Sequence, residues 1–173
     1  MKLRSIVRTS LLTKVLFRGA FFAFFGSFLL LFSVFIPLDL LNSYGSLIFL
    51  CAFLFIGWGL YPYQKLKMLQ MQPHEIIFLD NEAFIFSWKR KAAFKIAVKD
   101  IKEVFYKDSF SIFGICLNLK KAALEKTEII NPHFNLSLFS KKCQKTENCD
   151  LFLPYFSKNA FLEVVDRINQ SPD

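Results

Sequence analysis

Two long stretches without a charged residue constrain this chain more than any other feature of its sequence. Residues 19–38 contain no Asp, Glu, Lys or Arg, and after a single Asp39 the residues 40–64 contain none either. A helix needs roughly 20 apolar residues to cross the hydrocarbon core of a bilayer, which is about 30 Å thick. The sequence therefore predicts a two-helix transmembrane hairpin over residues 19–63, with spans at about 19–38 and 46–63.

Positive charge is concentrated on both outer sides of this hairpin. The formal net charge is +8, and the first 18 residues contribute five cations and no acid. Lys65 and Lys67 follow the second span, whereas the loop predicted at residues 39–45 carries only Asp39. Because Lys and Arg collect on the cytoplasmic side of membrane spans, residues 1–18 are predicted to be a basic cytoplasmic segment, and both termini to be cytoplasmic. Charge placed beside a membrane in this way argues against a nucleic-acid partner.

Small residues recur every four positions in the first span. Gly19, Ala23 and Ser27 fall on one face of a helix, where they allow two backbones to approach closely in lipid. This face is predicted to pack against the second span of the same chain, because so short a loop places the two spans side by side. A homodimer through the same face is the alternative.

After the hairpin the pattern changes to short alternating segments that are typical of strands. Residues 75–170 are predicted to form one α+β domain with an antiparallel sheet. Its first two strands, Glu75–Leu79 and Ala83–Trp88, are joined by a predicted turn at Asp80 and Asn81. The other predicted strands, which bring the total to about seven, cover residues 94–98, 101–107, 113–119, 134–138 and 150–153.

The chain closes with an amphipathic helix, predicted over residues 157–170 with Ser157 as its N-terminal cap. Four apolar side chains share one face of this helix, and they are expected to be buried against the sheet: Phe161, Val164, Val165 and Ile168. The polar stretch 141–148 is predicted to be a linker.

Several segments carry a resemblance to a known family: Phe84-Ile85-Phe86, the run from Lys99 to Val104, the run from Phe113 to Lys120, and Phe161 to Ile168. In this order the chain resembles small bacterial two-span membrane proteins with a pleckstrin-homology-like (PH-like) domain. The resemblance covers residues 75–170, and the stretch 122–132 departs from it as a predicted, partly helical insertion. It implies an antiparallel β-barrel or sandwich capped by the C-terminal helix, a binding or scaffolding role, and no catalytic residue.

A cluster of basic residues follows the second predicted strand. Lys89, Arg90 and Lys91 lie in a turn between strands, with Trp88 and Lys95 on either side. In the PH-like family the comparable turn of some members holds lipid headgroups, so a contact of these five residues with the lipid surface is the functional interpretation. An ordinary solvated turn is the alternative.

No catalytic, cofactor or metal motif accompanies these features. Cys143 and Cys149 are separated by five residues, whereas structural zinc sites favour cysteine pairs two to four positions apart. They are predicted to be free thiols in a loop, with Cys116 and the two histidines, His74 and His133, elsewhere. No cofactor is expected, and the chain is not expected to be an enzyme.

The sequence leaves three classes of function to compare. The first is a membrane-anchored protein whose cytoplasmic PH-like domain is an interaction or scaffolding module for an unidentified protein partner or a second copy. The second is an accessory protein that senses lipid headgroups. The third is a small membrane enzyme or transporter subunit, which the lack of charge within the spans disfavours. The predicted location is a bacterial inner membrane, and a host vacuole membrane of an intracellular bacterium is the alternative.

Overall fold

A computed structural model describes residues 2–79, 82–109 and 112–170. The chain forms two compact units: a helical unit from Val7 to Met71, and a sheet unit in which the residues up to Ile6 join those from Gln72 onward. The sheet unit thus begins before the hairpin and resumes after it. The predicted turn at Asp80 and Asn81 lies outside the described residues.

The helical unit is an antiparallel hairpin. Helix α1 covers Thr9–Phe32, a short 3-10 turn covers Ser33–Phe35, and helix α2 covers Leu38–Met71. Both helices are long and apolar enough to cross a membrane. They extend beyond the predicted spans, because α1 begins ten residues before Gly19 and α2 continues past Lys65.

The connection between the helices differs from the prediction. Residues 39–45 are helical, and the chain turns instead between residues 33 and 37. Pro37 cannot continue α1, but its fixed φ suits the start of the next helix, and its carbonyl accepts the first bond of α2 from the Leu41 N–H. Asp39 then lies in the first turn of α2, where the helix dipole favours a negative charge.

Small residues spaced by seven positions hold the hairpin together. A Cβ added to Gly19 would lie 2.5 Å from the Gly59 carbonyl oxygen, and one added to Gly26 would lie 2.7 Å from that of Ala52. The two backbones are therefore in contact at both levels. The spacing of seven keeps one seam facing the partner helix along its whole length.

The sheet unit contains two open antiparallel sheets. The larger one has the order β1 (Lys2–Arg4), β2 (Glu75–Leu79), β3 (Ala83–Trp88), β4 (Lys91–Ala97) and β7 (Glu128–Ile129). The smaller one consists of β5 (Ile101–Asp108), β6 (Phe113–Leu119) and β8 (Leu151–Pro154). An antiparallel sheet domain with a C-terminal helix was predicted and is present. The described strands do not close into a barrel.

Strand β1 was not predicted. Lys2 and Arg4, assigned from sequence to a basic cytoplasmic segment, pair in register with Ile77 and Glu75 of β2. Leu3, between them, is buried in the core. Three residues of alternating polarity are too short a pattern to distinguish from a loop.

The predicted strand at residues 134–138 is wrong. A short helix α3 (Ala123–Lys126) precedes β7, and residues 136–147 form helix α4, Leu136–Glu147, which also replaces the predicted linker at 141–148. The side chain of Asn135 caps α4 by accepting a hydrogen bond from the Leu138 N–H. Leu136, Ser140 and Cys143 form its buried face at helical spacing, which outweighs the short alternation.

The last helix, α5 (Lys158–Asn169), was predicted, including its cap: the Ser157 side chain accepts a hydrogen bond from the Ala160 N–H. Its buried residues are Ala160 and Val164, which join the aromatic and aliphatic core between the sheets. Phe161 and Ile168 pack against that core while partly exposed, and Val165 lies outside it. The burial expected for Val165 was therefore wrong.

Candidate functional site

Lys89 and Arg90 form the two-residue turn between β3 and β4, and Trp88 pairs with Lys91 at its base. Both turn residues are left-handed, with φ of 51° and 63°. For residues other than glycine, this backbone conformation costs about 1–2 kcal/mol of stability, so two-residue turns of β-hairpins usually carry Asn-Gly. This chain has two cations there instead.

His74 supports the turn from the neighbouring strand end. Its Nδ1 accepts a hydrogen bond from the Lys89 N–H at 3.1 Å, and its ring stacks on Trp88 with centroids 4.2 Å apart. Burial, together with the charge of Lys89, lowers the pKa of His74 from 6.5 to about 4. The ring is therefore neutral at pH 7 and Nδ1 is available as an acceptor.

The N-terminal strand completes this end of the larger sheet. The backbones of Ser5 and His74 are joined by the Ser5 N–H, which donates to the His74 carbonyl at 2.8 Å, and the Ser5 hydroxyl oxygen accepts from the His74 N–H. The carboxylate of Glu75, with its side chain only 6% exposed, lies 2.7 Å from Lys2 Nζ and 3.2 Å from Arg4 Nε. This cluster of charged groups was missed because its members are about 70 positions apart in sequence.

The charges at this end of the sheet are unequal. Among the described residues of these strand ends and their turn, one is an acid, Glu75, and five are cations: Lys2, Arg4, Lys89, Arg90 and Lys91. The chain also leaves the sheet unit here, after Ile6, and returns to it at Gln72. The turn between β3 and β4 and both connections to the helical hairpin therefore share one end of the larger sheet.

The structure separates the five residues predicted to contact lipid. Lys89, Arg90 and Lys91 are exposed at the tip of the β-hairpin that β3 and β4 form. Trp88 is half-buried, contacts Phe139 edge to face at 5.8 Å, and packs on the core, so it supports the turn from below. Lys95 lies further along β4, opposite Ile85, and forms an ion pair with Glu128 at 3.4 Å. We refer to the tip residues Lys89, Arg90 and Lys91 as the basic turn.

The predicted helix-packing residues lie in the hairpin. Gly19 is buried against Gly59 of the same chain, and a Cβ on Gly59 would lie 3.1 Å from the Ala23 backbone nitrogen. Ser27 is exposed. Gly19 and Ala23 thus lie against the second helix of their own chain, as the intrachain interpretation requires, whereas Ser27 lies outside that seam.

Three of the four cysteines meet in a second small core, which brings Cys116 to the predicted pair Cys143 and Cys149. Cys116 of β6, Cys143 of α4 and Cys149, in the bend between α4 and β8, are buried around Phe152. Cys143 thus lies on a helix and not in the predicted loop. Burial raises the pKa of the Cys143 thiol to about 11, and a hydrogen bond from Cys149 lowers that of Cys116. Within the described ranges, no three His, Cys, Asp or Glu side chains are arranged to hold a metal ion. The cluster is a packing core.

Comparison with known proteins gives no relative: no protein-family model, curated protein or solved structure matches this chain.

Proposed function

We propose that this chain is a membrane-anchored interaction module, in which the hairpin spans the membrane and the basic turn places a PH-like sheet domain on anionic lipid headgroups. Both termini are cytoplasmic in this proposal, and the domain binds rather than catalyses. The PH-like assignment is supported by the antiparallel strand order and by α5, which packs on the core between the two sheets.

The observation that carries the lipid contact is the conformation of Lys89 and Arg90. Two adjacent left-handed residues without glycine are a local cost to stability, and such costs cluster at functional positions. The neighbouring His74 accepts a hydrogen bond from the Lys89 N–H and stacks on Trp88, so the backbone of the turn is held in place. Each cation near an anionic membrane surface contributes about 1 kcal/mol of attraction.

The position of the turn is the second support. The chain passes to α1 and returns from α2 at the same end of the larger sheet that carries the turn. The hairpin that anchors the domain is therefore joined to it at the end of the larger sheet that carries the basic turn.

A protein partner is the second candidate ligand, on a different surface. Strand β7 is only two residues long, so it covers only a small part of the outer edge of β4. Ile129 and Ile130, at this edge, are 49% and 40% exposed. An open strand edge flanked by exposed aliphatic side chains is suited to pairing with an added strand.

A change of the turn to Asn-Gly tests the lipid role against a structural one. The double variant Lys89→Asn, Arg90→Gly relieves both left-handed positions, so it should stabilise the protein by about 1–2 kcal/mol. The same variant removes two of the three cations of the basic turn. We therefore expect higher thermal stability together with weaker contact with anionic lipid.

The contact can be measured on the full chain in nanodiscs by acetylation of lysines with a membrane-impermeant reagent, read by mass spectrometry. Lys91 should be protected in phosphatidylglycerol discs but not in phosphatidylcholine discs, and raised salt should remove the protection. The Asn-Gly variant should lose it as well. Lys99, exposed just past the other end of β4, serves as the internal control. Equal labelling of Lys91 in both lipids would contradict the proposal.

A further inference from the structure

A groove runs along the surface of the hairpin beside the contact of Gly19 with Gly59. It has a volume of about 440 Å³ and is lined by Arg18, Phe22, Cys51, Leu54, Phe55 and Trp58. A smaller depression of about 180 Å³ adjoins it and shares three of these residues, Arg18, Phe22 and Trp58. The larger volume lies within the range of small-molecule sites in proteins.

The walls of the groove are apolar and aromatic. Phe22 of α1 and Phe55 of α2 have parallel rings with centroids 6.4 Å apart, and Phe25 meets Phe55 edge to face at 5.3 Å. Cys51 and Leu54 continue the wall along α2, away from Arg18 and towards the connection between the helices. A surface of this kind fits an acyl chain that lies along the helices.

One charge lies at the other end of this groove. The guanidinium carbon of Arg18 is 5.8 Å from the centre of the Phe22 ring. The hairpin contains one acid, Asp39, which is 20 positions from Gly59 along α2 and hence about 30 Å from the level of Arg18. No carboxylate of the hairpin can therefore neutralise Arg18.

We propose that this groove binds one anionic phospholipid, with its phosphate on the Arg18 guanidinium and an acyl chain along Phe22, Phe55 and Leu54. A guanidinium binds phosphate oxygens through two parallel hydrogen bonds, which makes Arg well suited to this headgroup. Because a zwitterionic lipid carries a compensating cation, it gains less from Arg18. The site rests on the membrane placement of the hairpin and does not depend on the basic turn.

Binding can be measured on the purified full chain in detergent by native mass spectrometry. The probes are phosphatidylglycerol and phosphatidylcholine with identical acyl chains. Arg18→Gln should weaken phosphatidylglycerol binding about fivefold, the equivalent of about 1 kcal/mol for one cation, and should weaken phosphatidylcholine binding less. Lys14→Gln removes a cation one turn earlier on α1 and should have no comparable effect.

Further variants and a labelling experiment distinguish binding in this groove from binding at the basic turn. Arg18→Lys should restore part of the preference, and a photoreactive phosphatidylglycerol should label Leu54 or Phe55. The Asn-Gly turn variant should bind as the original chain does, so that failure of the lipid role of the turn leaves this result intact. Equal affinity for both lipids, or equal losses in Arg18→Gln and Lys14→Gln, would overturn the proposal. The Arg18→Gln variant must keep the helical circular dichroism of the original chain. If the variant does not fold, labelling of Leu54 or Phe55 by the photoreactive lipid in the original chain is the test of the proposal.

Discussion

His74 should make the sheet unit lose stability in mildly acidic solution. Its pKa is about 4 in the folded protein and about 6.5 in the unfolded chain, so between these values the unfolded chain binds more protons. Stability therefore falls as the pH falls through this window. Protonation of His74 also removes the acceptor of the Lys89 N–H, so the acid effect acts at the basic turn itself.

The magnitude follows from the size of the shift. A shift of one pKa unit corresponds to 1.36 kcal/mol, so the full difference of about 2.5 units is worth about 3 kcal/mol. Between pH 7.5 and pH 5, where ordinary carboxylates stay ionised, about 2 kcal/mol of this is lost. For a domain of about 100 residues, that loss lowers the midpoint of thermal unfolding by roughly 10 °C.

Thermal unfolding of the full chain in detergent, followed by tryptophan fluorescence, can measure this loss. Trp88 stacks on His74 and reports on its surroundings, and Trp58→Phe removes the other tryptophan. His74→Phe keeps an aromatic ring beside Trp88 but cannot titrate, so it should abolish the pH dependence. His133→Gln, at an exposed position, should preserve it. If the original chain and His74→Phe lost stability equally between pH 7.5 and pH 5, the reasoning would be wrong.

Two further predictions use neighbouring residues as matched pairs. Val164 is 1% exposed in the core, and Val165 lies outside it. In urea unfolding, Val164→Asp should therefore lower the free energy of unfolding by several kcal/mol, and Val165→Asp by about 1 kcal/mol. Similar losses in both variants would refute the packing of α5 on the core. A Cβ at Gly59 would meet the Gly19 carbonyl oxygen, whereas one at Gly57 would meet nothing within 4 Å. Gly59→Leu should therefore lower the thermal stability of the hairpin in detergent and Gly57→Leu should not, and equal effects would argue against a seam at Gly59.

The parts of the fold that the sequence predicted are those with long or regular patterns. The two helices follow from more than 40 residues with one acid among them, and α5 follows from its cap and apolar spacing. The loop between the helices was misplaced because charge was used to locate it. Asp39 suits a helix start as well as a loop, and Pro37 was the better signal.

The candidate site was predicted only in its local part. The basic turn was found because its residues are contiguous, but its support by His74 depends on a contact across 15 positions. The ion pairs of Glu75 and the meeting of Cys116 with Cys143 and Cys149 likewise join distant segments. Alternation and helical spacing report on neighbours within one element, so such contacts are beyond them.

The hairpin is inserted between the first two strands of the sheet unit. Strand β1 precedes the hairpin and β2 follows it, so their pairing must close a loop of about 70 residues, and the entropic cost of closure grows with loop length. The helices reduce this cost, because the level of Gly19 and Gly59 lies ten residues from the start of α1 and twelve from the end of α2. From that level the two antiparallel helices extend over nearly equal lengths, so Thr9 and Met71 lie at nearly the same position along the hairpin axis. If the hairpin forms first, it therefore brings β1 and β2 together, at the end of the sheet that carries the basic turn.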